Sequence, residues 1–171
     1  MAGAPGRGPG EFASRRLRDP CCRLRIDGRL PVTGVIEGLS HVTFIVRDLE
    51  RTASFLLDIF DAEEIYSSGD ATFSISREKF FLIGGVWIAI MEGESSAERT
   101  YNHIAFKIPD EQFDSYLERV RVHGIDILEN RSRVKGEGRS IYFYDHDNHL
   151  FELHTGTLEQ RLERYGEGLG P

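Results

Sequence analysis

Cysteine is nearly absent: 171 residues hold two, adjacent at Cys21 and Cys22. Neighbouring thiols near one end form neither a disulfide framework nor a zinc knuckle, and they fit a reducing cytoplasmic setting. No apolar run approaches the roughly 20 residues that a membrane-spanning helix needs. Positive charge is in deficit, with 21 Lys and Arg against 28 Asp and Glu and a net charge of −7. That balance argues against a nucleic-acid backbone as the main partner, so neither nucleic acid nor a membrane is expected. What is present is ordinary for a globular chain able to bury a core: 40% apolar and 29% charged residues.

The first 34 residues differ from the rest. Seven Arg and three acids give them +4, leaving −11 for the remainder. Gly and Pro crowd residues 1–10 and no apolar h-region follows, so a secretory signal is not expected. An Arg-rich, acid-poor stretch is compatible with a transit peptide. The favoured expectation is a disordered leader from cloning or a mis-set start, irrelevant to function, with the natural start near Val35.

From there two halves read alike. Leu39 to Val46 is a β-branched, aromatic strand, and Asp48 is a good N-cap for a helix with Leu49, Ala53, Leu56 and Phe60 at helical spacing. Short strand candidates follow at Glu64–Ser67, Thr72–Ser76, Phe80–Ile83 and Val86–Met91, and then a polar linker over Gly93–Thr100. The pattern restarts with a strand over Tyr101–Ile108 and a helix capped by Asp110, its Phe113, Leu117 and Val120 at i, i+4, i+7, ending at Gly124. Ile125–Leu128 and a hairpin of Ser140–Tyr144 with Leu150–His154 complete the unit, and a helix near Thr157–Tyr165 closes the chain. The halves share His-x-(Thr/Ala)-Phe, an acid-capped helix and about three strands, an internal β-α-β-β-β repeat. The fold class is therefore α+β: a single domain over 35–171, made of modules at about 36–93 and 99–156 plus the C-terminal helix.

The repeat places three side chains at related positions: His41 and His103 on the two first strands, and Glu152 on the last strand of the second half. Two imidazoles and a carboxylate form a facial set that leaves metal positions open to water or substrate, and such nitrogen and oxygen donors suit Mn²⁺, Fe²⁺, Ni²⁺ or Zn²⁺. A lone strand histidine is ordinarily a satisfied core residue, and Glu152 alone would fit an Arg partner. The repeat favours ligation, because it sets the two histidines facing each other across a pseudo-twofold. His146 and His149, among Asp145 and Asp147, have instead the spacing of an exposed hairpin turn. His123 reads as a solvated helix end, and His154 shares Glu152's face as a candidate supporting residue behind the ligands.

Several segments hold together in order: Gly38 to Phe44 (Gly-Leu-Ser-His-Val-Thr-Phe), Ser76 to Phe81 (Ser-Arg-Glu-Lys-Phe-Phe), Tyr101 to Lys107 (Tyr-Asn-His-Ile-Ala-Phe-Lys) and Gly138 to Asp145 (Gly-Arg-Ser-Ile-Tyr-Phe-Tyr-Asp). With the repeat, they make the chain resemble the vicinal oxygen chelate (glyoxalase/bleomycin-resistance) superfamily, and within it the FosX-type fosfomycin-resistance epoxide hydrolases, over essentially Ile36 to Gly168. The resemblance implies paired βαβββ modules in a module-swapped homodimer and a Mn²⁺ cofactor (other divalent ions fit the same donors). It also implies hydration of the antibiotic's oxirane to a diol, conferring resistance. It implies His41, His103 and Glu152 as metal ligands and Glu78 as general base, although residues alone would make Glu78 a solvated turn. For the phosphonate it implies Ser140, Tyr142 and Arg161, with Thr43 on His41's face as a further donor and Lys135 or Arg133 as an added cation.

Rivals stay open at this level. A related transferase opens the same epoxide with glutathione or a bacillithiol-type thiol but carries no such base, and a binding protein of the same fold needs no complete metal triad. A dioxygenase or a lactoylglutathione lyase is a third alternative. The lyase typically has a fourth protein ligand, whereas the nearest acid on the matching strand here is Glu92, at its end.

Overall fold

The structure is a computed structural model that describes residues 35–128 and 136–167. The residue 1–34 leader, Arg133 and Lys135 lie outside the described residues. From Gly38 onward the chain is one compact unit.

The first module runs β1 (His41–Val46), α1 (Leu49–Phe60), β2 (Glu63–Ser67), β3 (Glu78–Ile83) and β4 (Val86–Glu92). Its sheet has the order β1-β4-β3-β2, with β1 parallel to β4 and the other pairs antiparallel. The second module runs β5 (His103–Lys107), a 3₁₀ turn (Asp110–Gln112), α2 (Phe113–Val122), β6 (Asp126–Ile127), β7 (Ser140–Tyr144) and β8 (Leu150–His154), and α3 (Leu158–Glu167) follows. Its order, β5-β8-β7-β6, repeats the first, again with one parallel pair. The doubled β-α-β-β-β pattern is the fold.

Alternation along the strands decides what each face does. Val42, Phe44 and Val46 of β1, with Ile104 and Phe106 of β5, pack against the helices and join one core. Phe55 and Phe60 of α1 meet Phe143 and Phe151 of the second sheet at ring-centroid distances of 5.2–6.3 Å, so aromatic packing ties the two modules together. The opposite faces carry His41 and Thr43 in one sheet and His103, Glu152 and Tyr142 in the other. α1 starts as its sequence dictates: the Asp48 carboxylate accepts from the backbone N–H groups of Glu50 and Arg51, both at 3.0 Å.

Four local expectations change. Thr72–Ser76 is the connection between β2 and β3 rather than a strand, and its Phe73 and Ile75 are exposed. Asp110 caps no helix. Its carboxylate is taken by Arg139 at 2.9 and 3.1 Å, and the segment begins as a 3₁₀ turn. Glu78 is not in a turn; it is the first residue of β3 and is buried.

The Asp145–His149 turn is also far from exposed. Asp145 accepts from the backbone N–H groups of Asp147 and His149, while buried Asp147 accepts from Arg47 Nε at 2.6 Å and Ser95 Oγ at 2.8 Å. The turn thereby clamps the end of β1 and the inter-module linker. Asp and Asn suit tight turns, but here they are spent on partners remote in sequence.

Candidate active site

The outward face of the second sheet holds three rows. Strand register pairs His103 with Leu150 and Tyr144, Ala105 with Glu152 and Tyr142, and Lys107 with His154 and Ser140. His103 Nε2 lies 3.1 Å from Glu152 Oε2. The other ring nitrogen, Nδ1, lies 2.9 Å from the Tyr101 carbonyl, which can only accept, so Nδ1 donates to it and Nε2 is the nitrogen that faces the carboxylate.

Glu152 is 4% exposed, and its Oε1 has no hydrogen-bond partner. Burial opposes its charge, yet the neighbouring Tyr142 and Ser140 hydroxyls, with the charges of His154 and His103, hold its carboxyl below the ordinary range. It stays a carboxylate. A buried carboxylate oxygen without a donor is costly, and a cation is what such an atom suits. Two ligands about 2.1 Å from one octahedral ion sit about 3 Å apart, so the His103–Glu152 spacing fits cis coordination. These donors fit Mn²⁺.

His41 lies on the other sheet. Its Nδ1 is 3.2 Å from Ser40 Oγ and its ring packs on Trp87 at 4.4 Å, which leaves Nε2 as the nitrogen that could hold an ion. Among the described residues, no three His, Cys, Asp or Glu side chains converge on an ion within this chain. The chain presents His103 and Glu152 on one sheet and His41 on the other.

Comparing the registers explains what each module contributes. Thr43 pairs with Ala89 and Phe80 as Ala105 pairs with Glu152 and Tyr142. Ala89 thus occupies the place of Glu152, so the first module supplies a histidine and no carboxylate. Glu92 is further along β4 and is bound bidentately by Arg77 at 2.8 and 2.6 Å, which holds its carboxyl low. One row on, Ile45, Met91 and Glu78 correspond to Lys107, His154 and Ser140. Glu78 is therefore the pseudo-symmetric counterpart of Ser140, a relation that strand spacing alone did not reveal.

Of the remaining expected residues, Thr43 is exposed on His41's face. Tyr142 and Ser140 are buried beside Glu152. Arg161 projects from α3, its Nε 3.8 Å from Glu137 Oε2. Trp87 is a neighbour that motif reasoning left without a role, and His154, expected as a supporting residue on Glu152's face, lies against Ser140. The signal was their register: Trp87 opposite His41, His154 opposite Ser140.

Residues 38–153 match the Glyoxalase/Bleomycin resistance protein/Dioxygenase superfamily. The chain is 70% identical over 131 residues to the fosfomycin resistance protein FosX of Listeria innocua, covering 77% of this chain and 98% of that protein. It is 66% identical over 133 residues to the FosX of Listeria monocytogenes, covering 78% of this chain and all of that protein. A crystal structure of a mutant of the Listeria monocytogenes FosX, complexed with Mn(II) and 1S,2S-dihydroxypropylphosphonic acid, superposes with a TM-score of 0.71 at 67% identity, over 75% of this chain and 99% of that one. Two matched βαβββ modules, a histidine–carboxylate half-site and these likenesses agree: the chain belongs to the Glyoxalase/Bleomycin resistance protein/Dioxygenase superfamily, and within it to the FosX fosfomycin-resistance proteins.

Proposed function

We propose that this protein is a Mn²⁺-dependent hydrolase that adds water to the oxirane of fosfomycin, giving the dihydroxypropylphosphonate and so conferring resistance. The observation that carries the reading is the His103–Glu152 half-site, with an unpartnered buried carboxylate oxygen and the Ser140 and Tyr142 hydroxyls beside it. A diol phosphonate with Mn(II) is what the FosX relative's crystals contain.

His41, His103 and Glu152 hold the ion, which when bound supplies Lewis-acid polarisation of the oxirane oxygen. Ser140 and Tyr142 donate hydroxyl protons to the phosphonate, and Arg161 adds a guanidinium suited to two of its oxygens. Thr43 donates from the opposite module. Lys135 is the further candidate cation, from a segment outside the described residues. Glu78 takes a proton from the attacking water as its oxygen bonds to carbon and the carbon–oxygen bond of the ring breaks; the freed oxygen then takes up a proton to complete the diol. The pseudo-symmetry supports these roles, since Glu78 and Ser140 flank the ligand rows from equivalent places in two different modules. Apolar Met91, across the strand pair from Glu78, and Phe80, two residues along its face, limit competing water.

The third ligand comes from a second copy of the chain. β1 and β5 are both terminal strands of their sheets, and joining β1 of one copy to β5 of another would cover both edges and bring His41 to His103 and Glu152. Exposed Trp87 and Tyr101 lie beside those histidines and would be covered with them. A cytoplasmic setting completes the reading. No helix among the described residues is long and apolar enough to cross a membrane. The acidic balance of −7 disfavours nucleic acid.

The test is ³¹P NMR of fosfomycin with protein and Mn²⁺, with and without glutathione. Diol formed without thiol supports the hydrolase. Product formed only with thiol makes it a transferase, and no turnover with metal bound points to a binder.

A further inference from the structure

The polar row at the far end of the second sheet is not used up by metal or substrate. Lys107 spends its ammonium on the Thr155 and Gly156 carbonyls, which fixes the corner between β8 and α3. Beside it His154 Nδ1 lies 2.8 Å from Ser140 Oγ and 3.5 Å from Glu152 Oε1. One imidazole nitrogen thus touches the phosphonate-side hydroxyl and the metal-side carboxylate at once.

The ring has little freedom. A Cβ on Gly156 would sit 2.6 Å from His154 Nε2 and overlap the Glu137 carbonyl, so only glycine leaves room for this rotamer. In the first module the corresponding row is Ile45, Met91 and Glu78, with no counterpart to the imidazole. The device belongs to the phosphonate end alone.

We infer that His154 is a positioning residue: its Nδ1, 2.8 Å from Ser140 Oγ, fixes that hydroxyl at the phosphonate end of the site. Without the imidazole the hydroxyl rotates among its staggered positions, and the phosphonate must order it on binding.

This rests on the phosphonate role given to Ser140, and three variants separate the two. In the Mn²⁺-loaded protein, Ser140→Ala and His154→Phe should each raise the Kd for the dihydroxypropylphosphonate product, by calorimetry, and the KM for fosfomycin about tenfold. kcat and Mn²⁺ affinity should change little. Their double variant should cost no more than either alone. His154→Asn, whose amide group stands near the place of Nδ1 and can bond Ser140 Oγ, should recover most of the affinity. If Ser140→Ala binds product normally, the phosphonate reading fails and the inference with it. If Ser140→Ala weakens binding but His154→Phe does not, or Asn is no better than Phe, only the inference fails. A His154→Phe variant that loses Mn²⁺ affinity with its KM unchanged would make the imidazole a support for Glu152 instead.

Discussion

A composite site has a quantitative signature in mixed dimers. Co-express His41→Ala and Glu152→Ala chains with two different tags, and purify the species carrying both. Each parent homodimer lacks a ligand at both sites and should be inactive without bound Mn²⁺. If each site combines the first module of one copy with the second module of the other, the mixed dimer holds one site lacking two ligands and one complete site. It should show about half the wild-type activity per dimer and about one tightly bound Mn²⁺. The reciprocal pair gives the opposite result: the double variant His41→Ala/Glu152→Ala mixed with wild-type chain should have no complete site and no activity. The structure motivates this, because His41 stacks on Trp87 in one sheet while His103 meets Glu152 in the other, and no triad forms within one chain among the described residues. Were the site built within single chains, the first mixture would be dead and the second half active, and the proposed assembly would have to be abandoned.

Glu78→Gln keeps size and hydrogen bonding but cannot take a proton. Hydration followed by ³¹P NMR should fall about 10²–10⁴-fold while calorimetric binding of Mn²⁺ and product persists, and retained turnover would remove Glu78 as base. Gly138 has φ +83°, and a Cβ there would overlap the backbone of Gly156, so Gly138→Ala should lose about 2 kcal/mol or more in denaturant unfolding. The Asp147 carboxyl lies below its ordinary value: burial pushes it up, but bonds from Arg47 and Ser95 outweigh that. Its stabilisation is then complete above the unfolded carboxylate value and fades as pH falls through the depressed native one. Asp147→Asn should therefore lower the unfolding free energy at pH 7 by about 1–3 kcal/mol, through poorly paired partners, and the gap to wild type should narrow below about pH 4. Phe151 is 1% exposed among four aromatic rings, so Phe151→Ala should cost about 3–5 kcal/mol.

Much of this was written in local pattern. Period-2 alternation placed His41, His103 and Glu152 on outward faces, Asp48 marked the start of α1, and the repeated His-x-(Thr/Ala)-Phe implied two like modules, because burial of one strand face and capping are short-range constraints. Partners remote in sequence were not legible. Asp110 looked like a helix cap until Arg139, 29 residues away, took its carboxylate, and the Asp145–His149 turn looked solvated until Arg47 and Ser95 buried Asp147. Nor could spacing show that Glu78 answers Ser140, or that His154 lies between Ser140 and Glu152, since those relations come from cross-strand register. The sequence by itself determined the modules, the candidate ligand types and the strand face each of those side chains occupies. Only the tertiary structure decided that one chain presents His41 on one sheet and His103 with Glu152 on another, because strand pairing and side-chain contact depend on which segments meet in space.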